Sequence, residues 1–244
     1  FMLRDVPVCA ALPPLQRCGG YLRYATQQYD HCYIDMGGDF DAYRQKFSSK
    51  TRSTITRKVK KFAEHSGGTL RWTSHRTPQE LAQFFAPALA LSAKTYQERL
   101  LDAGLPGDEA FRRRALDMAA DDGVRAFLLY DGDRPVSYLY CPVEDDVLVY
   151  AYLGYDPAYK QFSVGTVLQW VALEQLFGER RFRHFDFTEG QSDHKRLFAT
   201  HQQACANLLF VRASPRGVLL VQGHRLCNAV SEGAGRGVDR WGLK

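Results

Sequence analysis

Three groups of residues in this sequence have the types and spacing for chemistry. The first is Lys160-Gln161-Phe162-Ser163-Val164-Gly165-Thr166, a loop that runs into a helix pattern. Val164, Val167, Leu168, Val171 and Ala172 fall at helical spacing on one apolar face. Ser163 reads as its N-cap and Gly178 as its stop. Free backbone N–H groups at such a helix start can cradle a phosphate. The helix dipole contributes only about 0.3–1 kcal/mol, so several N–H donors must act together. The stretch is neither a Walker loop nor a dinucleotide fingerprint. Its alternative is an ordinary strand–helix crossover. The second group is Asp186 and Glu189, at the end of a short strand pattern, with Tyr140, Tyr152 and Tyr155. Carboxylates can accept protons, and phenols, neutral at pH 7, can donate them. The third is a run from Arg44 to Lys61 with eight basic residues and no acid. It fits a solvated helix face, a patch for an anionic ligand, or a nucleic-acid or membrane surface.

The elements that must position these groups follow from periodicity. Residues 147–155 alternate as a strand, turn at Asp156-Pro157 and lead through the loop into the helix 164–177. Upstream, 124–130 and 136–143 are strands joined by a tight turn at Asp131-Gly132-Asp133-Arg134-Pro135. The three strands form an antiparallel meander. Helices are expected over 39–67, with an interruption at Ser48-Ser49 or Ser53-Thr54, and over 78–101 and 108–120, the last ended by Asp122-Gly123. Short strands are expected at 21–24, 32–36, 69–73, 183–187 and 204–212. A short helix starts near Ser192-Asp193, and 215–230 reads as helical before a Gly-rich, frayed tail from 233 to 244. Meander, crossover helix and further strands make an α+β protein with a mixed sheet flanked by helices. A ligand belongs where the strand before helix 164–177 parts from its next neighbour.

The 244 residues suffice for a full core, and the net charge of +5 favours a phosphate-bearing ligand without marking an obligate nucleic-acid binder. The six cysteines show no Cys-x-x-Cys pair and no metal-ligand spacing with histidine, which reads as free thiols in a reducing, cytoplasmic setting with no metal. His31, His65, His75, His184, His201 and His224 follow no metal or triad spacing. No apolar run approaches the roughly 20 residues that span a bilayer. No signal peptide is in view, and a start at Phe1 rather than Met suggests a piece of a longer chain.

Four motifs stand in a fixed order: Gly154-Tyr155-Asp156-Pro157, Phe162-Ser163-Val164-Gly165, Phe185-Asp186-Phe187-Thr188-Glu189-Gly190 and His194-Lys195-Arg196. Together they resemble the GNAT acyltransferase superfamily, in the branch of cellulose-biosynthesis-associated acetyltransferase-like and Fem-type proteins. The resemblance covers roughly residues 35–212. The branch typically shows Gly-Tyr-Asp-Pro, Tyr-Ser-Pro-Gly, Asp-Phe-Gly-x-Gly and a Tyr-Lys pair. Here Phe162, Val164, Thr188 and His194 replace a Tyr, a Pro, a Gly and a Tyr. Ser163 also replaces the first Gly of the older superfamily signature. The resemblance implies a GNAT fold over 35–212, an N-terminal segment 1–34 packed on the core, and a C-terminal helix and tail, 213–244. It implies acetyl-CoA or another acyl-CoA as co-substrate, an amine-bearing acceptor, and direct transfer without a covalent intermediate. The coenzyme would lie on Lys160, Gln161, Phe162, Ser163, Val164, Gly165 and Thr166. Backbone N–H groups around Leu153 and Tyr155 would meet the carbonyl. Asp186 or Glu189 would serve as base, and Tyr152, Tyr155 or Tyr140 would protonate the thiolate. His194, Lys195 and Arg52 would hold the acceptor or a phosphate. Plainer roles exist for each: a carboxylate binding backbone at Asp186, helix caps at Glu189 and Asp193, core aromatics, a surface lysine.

Three functions fit. The first is an acyl-CoA-dependent N-acyltransferase acting on a small metabolite or saccharide. The second is a Fem-type ligase using aminoacyl-tRNA, the one reading in which nucleic acid is a partner. The third is a non-catalytic GNAT-like binding domain in a polysaccharide-production system.

Overall fold

A run of six apolar or fully covered residues, 124–129, lies at the heart of the fold, in β5 (Val124–Asp131). It needs cover on both faces, as continuous apolar strands do. Gly132, at φ +56°, makes the turn into β6 (Arg134–Glu144), which runs antiparallel to β5 from Asp131↔Arg134 to Val124↔Pro142.

The computed structural model describes residues 1–94, 104–189 and 192–240, with 228–240 as backbone only. The chain divides into two compact units. The larger comprises Cys32–Thr188 and Ser192–His201; the smaller comprises Phe1–His31, Glu189–Gln191 and Gln202–Lys244.

In the larger unit β4 (Arg71–His75) pairs with β5 and β5 with β6. β6 has two further partners, β7 (Val147–Val149) and β8 (Tyr152–Tyr155). β9 (His184–Asp186) lies parallel to β7 and antiparallel to the end of β3 (Tyr21–Asp35). This is a mixed sheet flanked by helices. Its alternating residues serve two cores. Phe127, Leu129, Leu139 and Cys141 pack with α1 (Phe40–Gln45), α2 (Ser49–His65) and α5 (Val164–Glu179). Ala126, Leu128, Tyr138 and Tyr140 pack with α3 (Pro78–Ser92) and α4 (Glu109–Ala120).

Local chemistry sets the helix ends. Thr77 and Glu80 form a capping box on α3, with Glu80 N–H donating to Thr77 Oγ1 at 3.3 Å and Thr77 N–H to Glu80 Oε2 at 3.0 Å. Asp39 caps α1 by accepting from Ala42 N–H at 2.7 Å. Asp108 caps α4, accepting from Phe111 N–H at 2.8 Å. The expected helix over 39–67 is two helices, broken between Gln45 and Ser49, where Ser48 caps α2. Ser53-Thr54 does not interrupt α2, because Thr54 Oγ1 donates to Lys50 O one turn back at 2.9 Å. α5 is buried on nearly every side, wider than the single expected face, because α1 and the connector to α2 bring Phe40 and Phe47 against Trp170 at 5.1 and 5.8 Å. It does not stop at Gly178. It ends at Glu179, with Arg180 in the left-handed region at φ +50°. The strand expected over 147–155 is split into β7 and β8, and the one expected at 69–73 lies at Arg71–His75. The expected end of the helix 78–101 and Gly190 lie partly or wholly outside the described residues.

In the smaller unit β1 (Met2–Pro7) pairs antiparallel with β10 (His201–Arg212), with a bulge between Leu3 and Val6 where Asp5 has φ +53°. β2 (Leu15–Cys18) forms a hairpin with the start of β3 around Gly19-Gly20. Two short strands expected at 21–24 and 32–36 are thus one strand. Ala25, Ala206 and Leu208 make a small core. The last helix, α7, runs over Pro215–Arg240, so described residues of the expected frayed tail are helical; 241–244 lie outside the described residues. Among the described residues no helix is long and apolar enough to cross a membrane.

Candidate active site

β6 holds one partner at each end. Val143 and Glu144 face Leu148 and Val147 of β7, while Ser137 to Tyr140 face Tyr155 to Tyr152 of β8. β7 is also bound to β9, and Tyr150 N–H donates to Asp186 O at 2.8 Å just past the last paired residues. Beyond that bond the two chains part. β8 stays on β6. The chain after β9 turns away, with Phe187 N–H donating to Cys32 O at 3.0 Å. The turn is local chemistry: Asp186 Oδ1 accepts from Thr188 N–H at 2.7 Å, and Thr188 adopts φ +59°.

The N-terminus of α5 faces this opening. Asp156 positions it. Its buried carboxylate accepts from Ala158 N–H at 3.1 Å, Arg134 Nη2 at 2.7 Å and Lys94 Nζ at 3.1 Å, and so fixes the 3₁₀ turn Pro157–Phe162. Burial pushes this carboxyl up, but the Ala158 N–H, Arg134 and Lys94 together hold it below the usual range. Ser163 follows at φ +53° and makes no side-chain cap. By helix geometry Val164, Gly165 and Thr166 have no carbonyl one turn back for their N–H groups, and no acid stands in this first turn. Gly165 lets the helix start press onto β8, since a Cβ there would stand 3.1 Å from Leu153 Cδ2. Gly154 is as necessary on the other side of β8, where a Cβ would fall 2.3 Å from the Tyr138 ring.

A pocket of about 360 Å³ results. It brings together Leu153, Tyr155, Lys160 and His194 with Ser163, Val164, Gly165 and Thr166. Tyr150, which sequence reasoning left as a strand residue, lines it too, and burial raises its phenol so that it stays neutral. His194 sits on α6 (Asp193–Phe198) with Nε2 against Gln169 Oε1. Burial, then the Lys58 and Lys195 charges, pushes its imidazole down to about 4.

Other expected residues lie elsewhere. Tyr152 points to the opposite face of β8, its ring 6.0 Å from Phe111 and 6.2 Å from Tyr140. Gln161 O accepts from Lys61 Nζ at 3.4 Å, and Phe162 stacks on His65 at 4.2 Å. Arg52 lies in a separate groove with Asp41, Arg44 and Thr56. Lys195 follows His194 on α6, whose cap is Ser192, accepting from Lys195 N–H at 3.2 Å, rather than Glu189 or Asp193. Glu189 belongs to the smaller unit, where its Oε2 accepts from Asn207 Nδ2 at 3.0 Å. Gln169 was missed. Its signal was one amide inside the apolar run of α5.

Residues 49–196 match the family model described as acetyltransferase (GNAT) domain. No curated protein matches in sequence. Among the solved structures similar in fold are the following three. A conserved protein of unknown function from Bacteroides thetaiotaomicron shares 9% identity at TM-score 0.54, over 78% of this chain and 62% of that one. L-PGS from Bacillus licheniformis shares 12% at 0.53, over 85% and 67%. FemX shares 12% at 0.53, over 78% and 65%. The chain thus spans 62% to 67% of the length of these structures.

Proposed function

This chain belongs to the acetyltransferase (GNAT) domain family, and from that premise we propose that it is an acyl-CoA-dependent N-acyltransferase. Its acceptor would be the amine of a small metabolite or saccharide. The observation that carries this reading is the parting of β8 from β9 beside the first turn of α5, whose N–H groups have no helical carbonyl to bind. A thioester laid along β8 has its phosphates at a helix start and its carbonyl at the strand.

In the proposed step the acceptor nitrogen attacks the thioester carbonyl. A C–N bond forms, the C–S bond breaks, the amine gives up a proton, and the leaving thiolate takes one. Val164, Gly165 and Thr166, with the backbone of Gln161 and Phe162 and the Lys160 ammonium, hold the pyrophosphate. Backbone N–H groups near Leu153 stabilise the developing oxyanion. Tyr155, which lines the pocket, protonates the thiolate; Tyr152, on the other face of β8, is not given that role. Asp186, at the point where β8 parts from β9, accepts the amine proton. Lys195 binds the acceptor's negative charge.

Thermal unfolding with acetyl-CoA and with free CoA tests this. At 100 times the dissociation constant a ligand adds about 2.7 kcal/mol, a rise of several degrees. A cooperative transition unmoved by either ligand would refute the reading.

One observation favours a second, aminoacyl-tRNA-dependent reading. α2 carries much of the basic run, and its Lys61 reaches Gln161 O beside the pocket loop. Binding of tRNA that weakens by orders of magnitude from 50 to 200 mM salt would support it; salt-insensitive or absent binding would not.

A further inference from the structure

Resting on the acyl-transfer reading above, we propose that Gln169 is a positioning residue. It fixes His194 as a neutral imidazole protonated on Nδ1, and this Nδ1–H donates to the carbonyl oxygen of the bound acyl donor.

Gln169 lies one turn beyond Gly165 on α5 and is fully buried. Its Oε1 meets His194 Nε2, which leaves Gln169 Nε2 with no hydrogen-bond partner. An orphaned buried donor is destabilising, and buried N–H groups are left unpaired less often than carbonyl oxygens. Half a turn about the last side-chain bond exchanges the amide's nitrogen and oxygen without moving another group. Gln169 Nε2 then donates to the imidazole, and the oxygen takes the unpaired position. The imidazole can accept only on a nitrogen that carries no proton. The ring proton therefore sits on Nδ1, because each tautomer is set by the bond the other nitrogen makes.

The surroundings agree. The ring packs on Phe198 at 4.9 Å, and the charges facing it, Lys58 from α2 and Lys195 from its own helix, oppose a second proton. Gln169 meets it from α5. Among the described residues no hydrogen bond occupies Nδ1, and His194 lines the same pocket as Leu153, Tyr155 and Gly165. The ring thus offers that pocket one fixed donor and no charge. A thioester carbonyl is an acceptor whose negative charge grows as the amine attacks, so a preorganised donor lowers the barrier. A neutral donor does so without repelling a cationic acceptor amine as it approaches.

The test is a long-range ¹H–¹⁵N correlation on the full chain with labelled histidine, His194 being identified from the spectrum of His194→Asn. The expected pattern at pH 7 is Nδ1–H, moving toward Nε2–H in Gln169→Leu. Gln169→Met, of similar volume, replaces the Leu variant should that not fold. An Nε2–H pattern in the unaltered protein overturns the Gln169 lock. Acetyl-CoA is then added, and free CoA separately. A shift of the His194 signal with acetyl-CoA alone supports the carbonyl contact; equal shifts, or none, overturn it. The thermal shift tells apart a failed contact from a failed donor: ligand that stabilises without moving His194 refutes only the contact, and ligand that does neither refutes the acyl-CoA reading as well. In turnover, Gln169→Leu should lower kcat on the order of tenfold with KM nearly unchanged, below the roughly 100-fold typical of removing a whole oxyanion donor, as in His194→Phe. An unchanged kcat in both variants would overturn the catalytic part.

Discussion

At the C-terminal end of α5, Glu179 accepts from Arg125 Nε at 2.8 Å, and Arg125, though only 1% exposed, also bonds Asp122 at 2.7 Å and Val124 O at 2.8 Å. At the N-terminal end Ser163 makes no side-chain cap, no acid enters the first turn, and Lys160 lines the pocket. One helix therefore closes its charges within the protein at one end and leaves its donors toward a pocket at the other. Both ends use a left-handed residue that is not glycine, Arg180 at φ +50° and Ser163 at φ +53°. Strain alone does not distinguish a site from a structural joint. What distinguishes them is whether the polar groups are already answered.

The sharpest way to break this comparison is to open the closed end. Arg125→Met takes the buried partner from Glu179 and from half-exposed Asp122, which keeps Arg181 at 3.1 Å, so the loss is up to about 3 kcal/mol, the low end for a broken buried pair. Urea unfolding should show that loss, while the folded variant keeps its ligand affinity. A loss below 1 kcal/mol would mean the cluster is incidental. The converse change is Gly165→Asp, which sets a carboxylate against the proposed phosphate site and puts its Cβ 3.1 Å from Leu153 Cδ2. Acetyl-CoA affinity by calorimetry should fall at least 100-fold, about 2.7 kcal/mol at 1.36 kcal/mol per factor of ten. Unchanged affinity would move the phosphates elsewhere.

Acid should separate the ends by pH. His194 is held down at about 4 in the folded protein by burial and by Lys58 and Lys195, against an ordinary value near 6.5. Between those values the unfolded chain binds a proton that the folded one refuses, so stability falls as pH drops from 6.5 toward 4, by roughly 2–3 kcal/mol. Asp122 behaves differently. The hydrogen bond from Arg125 leads in holding its carboxyl below the usual range, so its contribution is present above the unfolded value near 4 and is lost only as pH falls through the folded one. Unfolding curves from pH 7 to 3 should show two stages, and His194→Asn should remove the upper one. A single stage below pH 4 in the unaltered protein would contradict the assignment.

How much of this was legible in the sequence depended on distance along the chain. The hairpin β5–β6 and the start of α5 were readable because their signals are contiguous: an apolar run, a Gly-containing turn, a polar loop before a periodic helix. The loop 160–166 likewise gathers its residues by adjacency alone. The split of β7 from β8 was not readable, because Tyr150 and Ala151 look like any strand interior and only the competing partners β6 and β9 decide where the strand divides. β1 was missed because Met-Leu-Arg-Asp-Val-Pro lacks clean alternation and bends at Asp5. Gly178 misled as a helix stop, since glycine's freedom was not used there and Arg180 took the left-handed position. Gln169 and His194 lie 25 residues apart, and only the fold pairs them.

The smallest expected effects concern the two edges of the opening itself. Ser163 and Thr188 stand where the resembling motifs carry glycine, and both adopt left-handed backbone, at φ +53° and +59°. A side chain there costs roughly 1–2 kcal/mol, more for β-branched Thr188 than for Ser163. Glycine removes that strain but gives back about 0.4–1 kcal/mol by loosening the unfolded chain. Thr188→Gly should therefore stabilise by about 0.5–1 kcal/mol and Ser163→Gly by less, a rise of a few degrees at most. Because Asp186 already holds the Thr188 N–H, the turn survives the change and ligand affinity should stay within about threefold. If instead Thr188→Gly lowers stability, the threonine is held by packing that outweighs its backbone strain, and the departure from glycine is structural compensation in the turn that follows β9.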